Sequence, residues 1–299
     1  MRVAIASGKG GTGKTTVAAN LARVAALRRL KVQLLDCDVE EPDCALFLRP
    51  RIRSRPFVEV PVPVVDEEAC THCGICADVC AFKAIVSLPS TVLVFPELCH
   101  ACGACAVLCP QDAITEEPRR TGQLEIGEAN GIAMVTGVLD VGEAKSPPVI
   151  RAVKERLDPR ADLVIIDAPP GTSCPVIESV RDADLVVLVT EPTPFGLHDL
   201  RLAVEMVRAL ELPCVIVVNR SDVGDGALAE YCRQEDLPVV MEIPYDRALA
   251  ESYARGALAV DALSGYRDLF DGLLDRLDGI VSGSRGDPQA PADHAEVSR

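Results

Sequence analysis

The spacing of eight cysteines carries the most specific chemistry in this chain. Cys70, Cys73, Cys76 and Cys80 follow C-x2-C-x2-C-x3-C, and Cys99, Cys102, Cys105 and Cys109 repeat the pattern, with Pro110 after the last. Three thiolates at that pitch wrap a loop around one face of an iron–sulfur cube, while the fourth, a helical turn later, points toward a second cube. The spacing therefore predicts two [4Fe–4S] clusters with exchanged ligands. Cys70, Cys73, Cys76 and Cys109 would hold the first, and Cys99, Cys102, Cys105 and Cys80 the second. Four-cysteine sets also bind zinc, but zinc ribbons separate two C-x2-C knuckles, whereas here three ligands share one continuous loop. Gly74 and Gly103 each follow a second ligand, where backbone is expected to pass close to sulfide. His72 and His100 are read as equivalent places in the two runs, exposed or bonded to sulfide.

A second constellation suits phosphate. Gly8-Lys9-Gly10-Gly11-Thr12-Gly13-Lys14-Thr15 matches G-x-x-x-x-G-K-[ST], and Thr16 follows it. The motif stands after a strand-like run and before a helical one, its working context. Glycines let backbone N–H groups curl around phosphates at a helix N-terminus, Lys14 offsets their charge, and the Thr15 hydroxyl ligates Mg²⁺. Asp36 and Asp167 each end an apolar run, which places an acid in the crevice where nucleotides bind parallel sheets. Asp43 is read as a helix cap or loop residue.

The elements that must position these groups alternate. Arg2 to Ser7, Val32 to Leu35, Leu163 to Ile166, Leu185 to Val189, Val215 to Val218 and Val239 to Met241 read as buried strands. Thr15 to Arg28 and Leu197 to Leu210 carry helical apolar spacing between them, so a doubly wound, mostly parallel α/β sheet is expected. From Phe57 to Thr115 this pattern breaks into cysteine runs among Pro61, Pro63, Pro89 and Pro96. Cys70 to Val86 and Cys99 to Ile114 form an internal repeat, each a cysteine run followed by a short apolar strand, the outline of a bacterial ferredoxin. The expected organisation is residues 1–56 and 116–281 as one nucleotide-binding domain, 57–115 as an inserted α+β domain, and 282–299 as a disordered tail.

Thirteen cysteines among 299 residues, clustered and odd in number, fit metal better than a disulfide framework. A net charge of −15 argues against nucleic acid or anionic membrane as a partner, because phosphate contacts need clustered Lys and Arg. No apolar run approaches membrane-spanning length and Met1 to Ser7 does not read as a signal peptide, so a cytoplasmic location is expected. The helix around Tyr266 to Val281 is amphipathic, but Asp268, Asp271, Asp275 and Asp278 make its polar face acidic, unlike a membrane anchor.

With Lys9 inside it, the run Ser7 to Thr16 resembles the deviant Walker A loop of the MinD/ParA/Mrp/NifH class of P-loop ATPases. Leu34 to Asp38 resembles the switch I of that class, and Ile165 to Thr172 its Walker B and switch II. Glu191 to Gly196 resembles a further loop typical of it. With its cysteine-rich segment, the chain resembles, up to about Val281, MinD-superfamily (SIMIBI) ATPases containing an inserted ferredoxin domain. The resemblance implies that Lys9 reaches across an ATP-sandwiched homodimer, Asp38 positions the attacking water, Asp167 holds Mg²⁺ through water, and the Gly171 amide senses the γ-phosphate. It also implies adenine framed by Asn219 and by Pro244, Tyr245 and Asp246. Asn219-Arg220-Ser221-Asp222 separately resembles a guanine reader, with Asp222 as the base's partner.

Cys174, seven positions after Asp167, resembles a cluster ligand of nitrogenase iron proteins, but is read as a small buried thiol. Cys37, Cys44, Cys214 and Cys232 are isolated and read as core or surface thiols. No C-x-x-C follows the second cysteine run, unlike Mrp-type cluster carriers. The leading expectation is an ATPase whose nucleotide gates electron transfer through the clusters to a redox partner. A cluster carrier serving an acceptor protein, and a positioning ATPase with structural clusters, are the alternatives.

Overall fold

The computed structural model describes residues 1–285 except Asp225. The chain opens with β1 (Arg2–Ala6), α1 (Lys14–Leu27), β2 (Val32–Asp36), α2 (Cys44–Leu48), β3 (Arg51–Ser54) and β4 (Phe57–Val65). The cysteine-rich stretch supplies α3 (Ile75–Val79), β5 (Ile85–Leu88), β6 (Thr91–Val94) and α4 (Ala104–Val107). Two long strands, β7 (Ile114–Ala129) and β8 (Ile132–Leu139), lead back through α5 (Pro147–Lys154) to β9 (Leu163–Asp167). Then come α6 (Cys174–Val180), β10 (Leu185–Thr190), α7 (Pro194–Ala209), β11 (Cys214–Asn219), α8 (Ala227–Gln234) and β12 (Val239–Ile243). Finally α9 (Arg247–Ala254), α10 (Ala259–Ala262) and α11 (Tyr266–Arg285) close the fold.

Strands β12-β11-β10-β1-β9-β2-β8 are parallel neighbours in that order, and β7 then β3 extend the sheet antiparallel beyond β8. The central parallel strands are buried on both faces, as in β9 and β10, because helices cover each side. One apolar layer joins the sheet to α1 and α11 through residues such as Leu21, Ile165, Phe270 and Leu277. The opposite layer joins it to α5, α6 and α7 through Ile150, Val176, Ile166 and Val204. The six strands expected from sequence appear within a residue or two of their expected ends.

The structure departs from the sequence expectations at four points. β8 was not anticipated, although it inserts between β2 and β7 in the main sheet. β4, assigned by sequence to the insert, pairs along its whole length with β7, so both belong to the main sheet's margin. The expected boundary at 115/116 falls inside β7, which runs through it without a break. Pro61 and Pro63 misled the reading: they sit in β4, paired to β7 on one side, where a missing N–H is tolerated. Finally, α11 continues to Arg285, so the start of the expected tail is helical, and residues 286–299 lie outside the described part. Among the described residues, no helix is long and apolar enough to cross a membrane.

Candidate nucleotide and cluster sites

The phosphate-loop motif links β1 to α1 at the C-terminal edge of the parallel strands. There a cavity of about 350 Å³ is lined by Gly10, Gly11, Gly13, Lys14, Thr15 and Thr16 on one side. Asp38, Glu41, Asp43 and Pro170 form a second wall, and Asn219, Pro244, Tyr245 and Asp246 a third. Loops after β1, β2, β9, β11 and β12 therefore meet at one place, the crevice geometry of doubly wound sheets. Asn219 also braces the loop, its Nδ2 donating to the Thr12 carbonyl at 2.9 Å. Asp246 caps α9 by accepting from the Ala248 N–H at 2.7 Å.

Behind the cavity floor lie Asp36 and Asp167, both fully buried. Asp167 Oδ2 accepts from the Cys44 thiol at 3.3 Å, and Asp36 Oδ2 from the Cys44 N–H at 3.2 Å. Ligand atoms of Asp36, Cys44 and Asp167 lie within 4.8 Å of one another. Asp167 Oδ1 has no hydrogen-bond partner. Burial, then mutual repulsion, lifts Asp36 well above the usual carboxylate range; burial lifts Asp167, with Lys14 opposing it. Two crowded acids with an orphaned oxygen suit a small oxygen-seeking cation, and Mg²⁺ fits this donor set.

Several expected nucleotide ligands stand elsewhere. Gly8 does not line the cavity: a Cβ there would lie 2.2 Å from the Asp199 carbonyl oxygen, so its smallness serves packing against α7. Thr12 is buried with an unpartnered hydroxyl, outside the lining residues. The Gly171 amide donates to the Ser7 carbonyl at 2.9 Å instead of facing the cavity. Lys9 is ion-paired to Glu191 of the same chain, and Arg220 bonds the other oxygen of that carboxylate at 2.9 Å. The sequence marks Glu191 only as part of a loop; an acid held at 7% exposure signals a dedicated partner. Asp222 accepts from the Tyr245 N–H at 2.6 Å and does not line the cavity. Asp43 precedes α2 but makes no side-chain cap bond, and it lines the cavity instead. Cys174, expected to be buried, is exposed at the start of α6.

The eight patterned cysteines divide into two cavities. One is lined by Cys70, Cys73, Cys76 and Cys109, with Val65, Ile75, Val92 and Ile114. The other is lined by Cys99, Cys102, Cys105 and Cys80, with Val79, Phe82, Ile85 and Glu116. Each fourth cysteine thus crosses to the other run's cavity. None of them is disulfide-bonded. Backbone N–H groups aim at sulfur in matching pairs: His72 to Cys70 at 3.4 Å and Ala101 to Cys99 at 3.3 Å. Likewise Ala84 donates to Cys80 at 3.2 Å and Ala113 to Cys109 at 3.3 Å. Gly74 and Gly103 turn the chain at φ 81° and 71°; their conformation, not a crowded neighbour, calls for glycine.

Among the described residues, no three of these sulfurs come within 4.8 Å of one another. A single zinc, with Zn–S near 2.3 Å, would draw its four sulfurs to roughly 3.8 Å apart. The wider setting fits a multi-iron cube. Burial raises the Cys76 and Cys105 thiols, and positive iron would be what makes them thiolates. The histidines are not equivalent, correcting the sequence reading. His72 is two residues after Cys70 and bonds Glu67 at 3.1 Å, whereas His100 is one after Cys99 and stacks on Phe82 at 3.6 Å. The true counterpart of His72 is Ala101, with φ 54° against 56°.

Residues 3–260 match the profile of the CobQ/CobB/MinD/ParA nucleotide binding domain. An uncharacterized protein of Methanocaldococcus jannaschii is 32% identical over 93% of this chain and 96% of its own length. An iron-sulfur cluster carrier protein of Pyrococcus horikoshii is 25% identical over 92% of this chain and 86% of its own. Among solved structures, the septum site-determining protein MinD of Pyrococcus horikoshii, complexed with Mg-ADP, superposes with TM-score 0.60. It is 20% identical and the match covers 96% of this chain and 99% of that one. The cell division ATPase MinD of Pyrococcus furiosus gives 0.59 at 22% identity, covering 93% and 98%.

Proposed function

We propose that this chain, which belongs to the CobQ/CobB/MinD/ParA nucleotide-binding family, is an ATP-hydrolysing iron–sulfur protein in which nucleotide gates electron transfer to an acceptor protein. The nucleotide half rests on the family and on the loops that meet at the cavity. Lys14 and Thr15 would hold phosphate and Mg²⁺, with Asp36 and Asp167 behind the ion, and Asp38 on the cavity wall would orient the attacking water. Asn219, Pro244, Tyr245 and Asp246 would frame adenine. Lys9 would exchange Glu191 for the partner's nucleotide in an ATP-sandwiched homodimer, leaving Glu191 compensated by Arg220.

The observation that carries the redox half is the division of eight cysteines into two interleaved sets of four, each lining its own cavity. Two bound [4Fe–4S] clusters would supply one-electron storage at potentials set by hydrogen bonds and exposure. This chain's part is to present eight thiolates, donate four N–H groups to sulfur and shield them with Val65, Ile85, Val92 and Ile114.

Anaerobic purification followed by iron and sulfide counts, with ATPase assays on oxidised and reduced samples, tests the reading. Roughly eight iron and eight sulfide per chain are expected, two cubes of four, with turnover that differs between redox states. Zinc in place of iron, or turnover indifferent to redox state together with electron transfer indifferent to ATP, overturns it.

A cluster carrier is the second reading, favoured by relatives bearing that name. Incubating the reconstituted protein with an apo acceptor separates the two, since a carrier loses its iron to the acceptor and a gated electron carrier keeps it. A positioning ATPase with structural clusters has only the shared fold in its favour, and the acidic face of α11 suits neither membrane nor DNA.

A further inference from the structure

The loop between β8 and α5, residues 140–146, touches both halves of the molecule. It begins where Asp38 leaves the nucleotide cavity: the next residue, Val39, accepts from the Leu139 N–H at 2.9 Å through its carbonyl and is itself buried. The loop is then pinned to β7. The Arg120 guanidinium bonds Asp140 at 2.8 Å, and Arg119 bonds Glu143 at 2.6 Å. Glu143 is 4% exposed, and its other oxygen accepts from the Lys145 N–H at 3.0 Å. From there the Lys145 ammonium reaches into the cysteine-rich segment, donating to the carbonyl of Cys99 at 2.7 Å and to that of Glu97.

Resting on the proposed function above, we infer that Lys145 is a positioning residue through which the nucleotide cavity sets the redox potential of the second cluster. Two physical arguments support this. Adding an electron makes a cluster one unit more negative, so a fixed cation beside a ligand favours the reduced state, here against the opposing Glu116 on the same cavity. Lys145 also hangs from a loop that follows directly on Leu139, the β8 residue whose N–H bonds the residue after Asp38, so a shift of that segment on binding nucleotide is passed through the end of β8 to the lysine. The route runs across the sheet, from β2's loop to the end of β8.

The test is a potentiometric titration of the full holoprotein followed by electron paramagnetic resonance, with and without Mg²⁺ and a non-hydrolysable ATP analogue. It is run on the wild type, Lys145→Gln and Lys145→Arg, each with iron counted first. In the wild type, one cluster's potential should move with nucleotide while the other's stays. In Lys145→Gln that cluster should become at least tenfold harder to reduce, 59 mV for a one-electron couple, and lose its response to nucleotide. Lys145→Arg should keep both properties. A purely structural lysine would leave the potentials unchanged at full iron content, and that result overturns the inference. A nucleotide response that survives in Lys145→Gln, or is missing from an iron-replete wild type, overturns it too while leaving the clusters in place. A wild type without iron removes the parent reading instead.

Discussion

Asp38 illustrates how one side chain's surroundings set its chemistry. Burial lifts its carboxyl to about 6, with Lys14 pulling it back and Asp167 pushing it up. The group that would orient water is therefore protonated below that pH and charged above it. ATPase kcat/KM should fall as pH drops through about 6 and level off above, and Asp38→Asn should be nearly inactive at every pH. Stability runs the other way. A raised folded pKa contributes stability that is full below the unfolded value and lost as pH rises through about 6. Asp38→Asn should therefore stabilise the nucleotide-free protein at pH 8 by about 1 kcal/mol, a figure reduced for the side chain's partial exposure, and by less at pH 5. Urea denaturation at the two pH values measures this. At this scale the sequence was legible where a motif specifies contact, as at Lys14. It was illegible where a neighbour decides, as for Lys9 on Glu191 or the Gly171 amide on Ser7.

Among the elements, β8 joins the nucleotide half to the cysteine-rich half, and it is one of the strands that the sequence reading passed over. The signal was present: Asn130-Gly131, both at positive φ, makes the tight turn that pairs β8 with β7. Gly137 in β8 is constrained by what packs over it. A Cβ there would meet Val39 at 2.5 Å, Val153 at 2.8 Å and Val149 at 3.0 Å. Gly137→Ala should cost about 1–3 kcal/mol of stability by overpacking, read from the urea midpoint, and should displace Val39 beside the nucleotide cavity. The buried parallel strands were easier to read because an unbroken apolar β-branched run has few other uses. Prolines in β4 erased that signal, since pairing to β7 was visible only in space.

Across the whole molecule, the cysteine-rich segment has its own small apolar core, formed by Cys76, Ile85, Val92, Cys105 and Ile114. Neither of the two layers against the main sheet includes these residues. Cluster loading and nucleotide turnover should then fail separately. Lys14→Ala should abolish hydrolysis with the iron count unchanged, whereas Cys76→Ser should lose iron from the first site and leave nucleotide affinity within about twofold, by isothermal titration. Loss of iron in Lys14→Ala would show that the halves do not load independently.

By itself the sequence determined the chemistry carried in local spacing. A loop's cysteine pitch, a glycine-rich turn before a helix and an acid ending an apolar strand are short-range patterns, and short-range geometry follows from the backbone. Only the tertiary structure decided which groups from distant segments meet. Cys44 beside Asp36 and Asp167, Glu191 holding Lys9, and Lys145 on the Cys99 carbonyl depend on strand order and on loops converging at one sheet edge. Those contacts span many residues of chain, and no local pattern encodes them, because a salt bridge or hydrogen bond needs only complementary groups brought within reach by packing elsewhere.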